Sequence, residues 1–136
     1  MSYIETSTFL RRVLVLDAVS CVGLGLLLVT FGGGLSGLLN LPMALLQQAS
    51  IVLLPFGLLL AFLSTRLRLP RAAVWAVIVA NGIWAIDSIV LLFTGWVQPS
   101  LLGYLFVAGQ AAFVAVMVEL EYIGLRKSVT VAPLHA

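Results

Sequence analysis

Four long apolar runs dominate this sequence and leave little chain for anything else. They cover residues 13–31, 42–63, 72–96 and 101–124. A helix rises about 1.5 Å per residue, so about 20 apolar residues cross the roughly 30 Å hydrocarbon core of a bilayer. A helix also satisfies its own backbone hydrogen bonds, which lipid cannot do. The sequence therefore predicts an all-α membrane protein with four transmembrane helices.

The composition is incompatible with a soluble globular chain. Of 136 residues, 62% are hydrophobic and 9% are charged, whereas soluble domains carry about 25% charged residues. The lipid bilayer is therefore the expected surrounding of the apolar faces. We expect a single domain over residues 1–136, built as an up-down-up-down bundle with a tail at residues 125–136.

The positions of the basic residues predict the orientation. All seven lie in three clusters: before the first run, between the second and third, and after the fourth. Four crossings place these clusters on one side, and basic loops stay in the cytoplasm. The prediction is a multi-pass protein of a bacterial inner (plasma) membrane, with both termini cytoplasmic. The clusters are Arg11 and Arg12; Arg66, Arg68 and Arg71; and Arg126 and Lys127.

Turn residues separate the runs. Gly32, Gly33 and Gly34 are expected to end the first helix near Phe31, because glycine clusters favour turns. Pro70 is expected to help start the third helix, since proline suits the beginning of a helix.

Polar residues within the apolar runs form the candidate site. An ionisable group in lipid is costly and indicates a function by default. Asp87 in the third run has no basic residue at similar depth. Helical spacing places Asp87 on one broad face with three other side chains of that run. A glutamine of the fourth run lies at comparable depth, and one of the second run lies nearer the outer side. The candidate intramembrane polar site is Asn81, Trp84, Asp87 and Ser88, with Gln110 and Gln48.

A secondary candidate lies in the first run. Asp17 and Ser20 share one face with Cys21 at helical spacing. Asp17 alternatively reaches toward the interface beside Arg12, five residues earlier, whose long side chain can extend to the membrane surface.

The end of the fourth run carries two further acidic residues, Glu119 and Glu121. We expect both to be interfacial and paired with the Arg126 and Lys127 cluster.

Several kinds of chemistry are disfavoured. The sequence has one cysteine, Cys21, and one histidine, His135 in the tail, so no nucleophile–base pair, disulfide or histidine-rich metal site is expected. No phosphate-binding glycine motif with lysine occurs. We therefore expect no catalytic residues, no cofactor, no metal, no nucleic-acid partner and no enzymatic activity.

The pattern as a whole resembles a known group of proteins. The segment Pro70–Trp75, the polar face from Asn81 to Ser88, and the ending from Glu119 to Lys127 are similar to those of small uncharacterised four-helix inner-membrane proteins of bacteria. The resemblance covers the whole chain and implies the fold without implying an activity.

Three functions remain open from the sequence. The first is an accessory, scaffold or assembly subunit that packs against other membrane proteins or further copies of itself, favoured by the near absence of extramembrane chain. The second is a small oligomeric transporter or channel in which Asp87 titrates. The third is a binder of an apolar ligand such as a quinone, lipid or pigment, which would use the Trp84 face and the helix around Pro55.

Overall fold

The computed structural model describes residues 2–131, in which four long helices account for most of the chain. They are α1 (Thr8–Leu39), α2 (Met43–Ser64), α3 (Arg71–Phe93) and α4 (Leu101–Lys127). All four are long and apolar enough to span a membrane. This confirms the predicted helical class and the prediction of four helices long and apolar enough to span a membrane. Residues 132–136 of the predicted tail, including His135, lie outside the described residues.

The predicted turn at Gly32–Gly34 was wrong. Helix α1 continues through these glycines to Leu39, and only Phe31 departs from helical geometry, with φ −115° and ψ 16°. A turn within lipid would leave backbone groups without partners, so the helix continues and bends instead. The actual end is at Asn40, which adopts a left-handed conformation with φ 54° and donates its backbone N–H to Ser36.

The helix starts follow local sequence signals. Ser7 accepts a hydrogen bond from the backbone N–H of Leu10, and Ser100 accepts one from Gly103, so α1 and α4 each begin at a serine cap. Prolines precede α2 and α3, as expected for Pro70. Helix α3 ends at Phe93, three residues before the predicted end.

Three short strands, which the sequence analysis missed, join the chain segments at one end of the helices. They are β1 (Tyr3–Glu5), β2 (Arg68–Pro70) and β3 (Val129–Val131), in the order β2-β1-β3 with antiparallel pairing. Helices α1 and α3 therefore leave this end, and α2 and α4 return to it. The three basic clusters all lie at or next to this end.

The helices pack in an order that leaves one side open. Helix α1 packs along α2 and α4, and α3 packs along α4. Within residues 2–131, α2 and α3 do not pack closely against each other. Small residues allow the tight contacts: a Cβ added at Gly124 of α4 would lie 2.9 Å from Cα of Leu10 in α1.

We predict that Gly124→Ala destabilises the protein by about 1–3 kcal/mol, because the added methyl group meets the α1 backbone. Gly109→Ala, on the same helix, is the matched control, since a Cβ there has nothing within 4 Å. The control should be neutral or slightly stabilising, because alanine favours helix. The free energy of unfolding in mixed micelles measures both, and equal values would contradict the close approach of α1 and α4.

Candidate functional site

Three polar side chains from three helices meet inside the protein. Nδ2 of Asn81 in α3 donates to Oδ2 of Asp17 in α1 at 2.7 Å and to Oε1 of Glu121 in α4 at 2.8 Å. We call Asp17, Asn81 and Glu121 the carboxyl–amide triad. One amide nitrogen therefore ties α3 to both α1 and α4.

The triad is almost completely buried. Asp17 is 1% exposed, Asn81 4% and Glu121 0%. Because both carboxyl groups accept from the same amide nitrogen, they lie close together. Two ionised carboxylates cannot bond to each other, since both are acceptors only, so a proton on one of them would supply a donor within the pair.

In the part of the chain that the structure describes, no cationic side chain forms an ion pair with either carboxyl. Within residues 2–131 the only ion pair joins Arg68 and Glu5 at 3.8 Å, on the exposed sheet. Oε2 of Glu121 has no hydrogen-bond donor in the described chain, although it is buried. On the same helix, the thiol of Cys21 donates to Oδ1 of Asp17 at 3.6 Å. In the same described residues, no group of three His, Cys, Asp or Glu could hold a metal ion.

A second polar contact lies one helical turn along α3. Nε1 of Trp84 donates to Oε1 of Gln110 in α4 at 2.8 Å. The amide nitrogen of Gln110 donates in turn to the backbone oxygen of Val107. This contact fixes the orientation of the indole ring.

Two cavities lie on either side of the Trp84–Gln110 contact. The proximal cavity, nearer the triad, measures about 110 Å³ and is lined by Ser20, Asn81 and Phe56 among others. The distal cavity measures about 270 Å³ and is lined by Asp87 and Ser88 with mostly apolar neighbours. Trp84 and Gln110 line both cavities. Residues of α1, α2, α3 and α4 contribute, so the cavities occupy the space where α2 and α3 fail to meet.

The sequence-predicted site residues are thus placed in two groups. Asn81, Trp84, Asp87 and Ser88 lie along one face of α3 bordering the cavities, and Gln110 faces them from α4. Asn81 bonds to the triad carboxyls, while the hydroxyl of Ser88 donates to the backbone oxygen of Trp84.

The expected buried hydrogen-bond network around Asp87 is absent from the described chain. Asp87 is exposed, and its side chain makes no hydrogen bond within residues 2–131. Gln48 is exposed on α2, away from both cavities. Leu45, Leu46 and Ala49 form the face of α2 that lines the distal cavity, and Gln48 lies on another face of that helix.

Two expectations about acidic residues were wrong. Asp17 does not pair with Arg12, and Glu121 does not pair with Arg126 or Lys127; both acids are buried and hydrogen-bonded to Asn81. Glu119 is exposed and also forms no ion pair within residues 2–131.

A sequence signal for the triad did exist. Asp17 lies five residues from the basic cluster at Arg12, and Glu121 lies five residues from Arg126. Asn81 lies ten residues beyond Arg71, so all three sit at comparable depth from the same end, roughly 7–15 Å inward.

Ser20 supports Asp17 through the backbone. Its hydroxyl donates to the backbone oxygen of Asp17 at 2.7 Å, and the side chain also lines the proximal cavity. Asn81 lines the same cavity, whereas Asp17 and Glu121 do not. Asn81 therefore separates the buried carboxyls from the cavity.

Comparison of the chain with protein-family models, curated proteins and solved structures found no match.

We predict that Asn81→Ala destabilises the protein by about 1–3 kcal/mol, because Glu121 loses the donor to its Oε1 and Asp17 keeps only the weak thiol donor of Cys21. Ser88→Ala is the control on the same helix, since its hydroxyl bonds only within α3. Reversible unfolding in mixed micelles measures the difference. Equal stability of the two variants would show that the amide does not hold α3 to α1 and α4.

Proposed function

We propose that this integral membrane protein is a small proton-coupled transporter, in which the carboxyl–amide triad binds and releases the proton. The observation that carries the proposal is the single amide of Asn81, which bridges two buried carboxyls with no cationic partner in the described chain. Four apolar helices are compatible with membrane insertion.

A proton is the ligand that suits this arrangement. Two ionised carboxylates side by side would repel, and each would lose its hydration on burial. A shared proton removes one charge and supplies a hydrogen-bond donor between the two carboxyls that Asn81 holds together. The buried oxygen of Glu121 that lacks a donor offers a second place for that proton.

A purely structural clamp would be built differently. Interhelical hydrogen bonds between amides or hydroxyls hold membrane helices together without adding charge. Here two acids are used where one acceptor would suffice, at a cost of roughly 2.5–3.5 kcal/mol for each charge at a helix centre. Ionisable groups of this kind in membranes mark proton relays and transport paths.

The triad is also placed to couple to a substrate. Asn81 contacts both carboxyls and lines the proximal cavity. Gain or loss of a proton changes the acceptors that Asn81 holds, and hence the position of α3 relative to α1 and α4. Both cavities border the face of α3 that carries Asn81 and Trp84, so a movement of α3 would change the shape of the cavities.

An accessory or assembly role is the second candidate. The observation that favours it is the size of the parts outside the helices: within residues 2–131 these are three three-residue strands and short turns. Partners would then be other membrane proteins or further copies of this chain, contacting its apolar outer faces.

The location in the membrane is part of the proposal. The basic clusters at the sheet end support a cytoplasmic position for β1, β2 and β3 in a bacterial inner membrane.

The orientation is tested by cysteine labelling in a Cys21→Ala background. Gln98→Cys lies at the end opposite the sheet, and Val129→Cys lies in β3; both positions are exposed. We expect an impermeant maleimide to label Gln98→Cys on intact cells and Val129→Cys only after permeabilisation. The reverse pattern would invert the proposed orientation.

The proton-binding role is tested by infrared difference spectroscopy of the reconstituted protein between acid and alkaline pH. We expect a carboxyl C=O band from the triad that Asp17→Asn and Glu121→Gln each remove or shift, because the pair shares its proton. Proton movement into liposomes should fall at least about tenfold in both variants, as expected for loss of a proton-transfer group.

Glu119→Gln is the matched control, because Glu119 is an exposed acid on the same helix as Glu121. It should keep both the triad band and the proton movement. Unchanged movement in Asp17→Asn and Glu121→Gln, with helical content preserved, would reject the transporter. Co-purification of a fixed partner subunit would then favour the accessory role.

A further inference from the structure

We infer that the proximal and distal cavities form one binding site for a lipophilic cation, with Asp87 contacting the cationic group and Trp84 its apolar body. The role of such a ligand as transported substrate rests on the proposed function. Its binding is measured separately, because neither Asp17 nor Glu121 lines either cavity.

Asp87 supplies the charge. It lines the distal cavity and is exposed, with no hydrogen bond or ion pair within residues 2–131. It lies six residues before the end of α3, about 9 Å from that end, in the distal half of the helix. A carboxylate there is complementary to a cation and disfavours a phosphate or any other anion.

The rest of the wall supplies apolar contacts. Leu45 and Leu46 of α2, Leu91 of α3 and Phe106 of α4 line the distal cavity. Phe56 and Phe113 line the proximal one. Ligand sites combine mainly apolar and aromatic walls with a few polar groups that fix orientation. The only ionisable side chain on the wall of either cavity, within the described residues, is Asp87, apart from the Cys21 thiol.

Trp84 stands at the centre of the site. Its indole lines both cavities and is held by Gln110 at 2.8 Å. Indole faces attract cations within about 6 Å of the ring centroid. A ligand that is charged at one end and apolar at the other would lie along α3, with its cation near Asp87 and its apolar end toward Asn81.

The dimensions limit the size of the ligand. The cavities of about 110 and 270 Å³ suit a molecule with one ring and a small ammonium group. The open side between α2 and α3 gives an apolar molecule a lateral route from the bilayer. A neutral acyl chain could fill the same space, but it would leave Asp87 without a partner.

Isothermal titration of the purified full chain in detergent tests the site with benzyltrimethylammonium. Neopentylbenzene, of the same shape without the charge, is the matched ligand control. We expect saturable binding of the cation and at least about tenfold weaker binding of the neutral compound. Asp87→Asn should weaken cation binding at least about tenfold, and Asp87→Glu should retain it, because the charge is kept.

Glu119→Gln is the matched protein control and should bind like the original chain. Equal affinity for the charged and neutral compounds, or full binding by Asp87→Asn, would overturn the inference while leaving the proton-binding test unaffected. The indole N–H signal of Trp84 should shift when the cation binds to the original chain. Absence of that shift in Asp87→Asn would support the inference further.

Discussion

Every polar group inside a bilayer-spanning protein needs its hydrogen-bond partner within the protein, because hydrocarbon offers none. Asn81 meets this need for two carboxyls at once, from α1 and α4. Around this contact, α1 and α3 both pack on α4. Gly124 of α4 allows the close approach of α1 at Leu10. The cavities lie between α2, which packs on α1, and α3, which packs on α4.

Much of the fold could be predicted from apolar run length and the positions of basic residues. The number of helices and the bounds of α2 and α4 follow from these within a few residues. The end of α1 could not, because the glycines at 32–34 favour turns in water but continue a helix where the backbone must satisfy itself. The strands were missed because three-residue pairing depends on segments distant in the sequence.

The candidate site was predicted in part. The polar face of α3 and its neighbour Gln110 follow from helical spacing, because residues three and four apart share a face. The partnership of Asp17 with Glu121 did not follow, since each acid has a basic residue five positions away along the chain. Sequence distance favoured local charge pairing, whereas helix packing placed both acids around Asn81. Gln48 was wrongly placed in the site for a related reason. The periodicity of one helix does not show which of its faces meets another helix.

The sheet at the basic end has a consequence for biosynthesis. Its central strand, β1, is the first part of the described chain to leave the ribosome, and one of its two partners, β3, is the last. Ile4 of β1 is fully buried and pairs with Thr130 of β3, so it cannot reach its final surroundings until α4 has been made. Strand β1 can pair with β2 once α2 has been made, but its other edge has no partner until α4 is complete. Pairing of β3 with β1 thus comes only after all four helices have been synthesised.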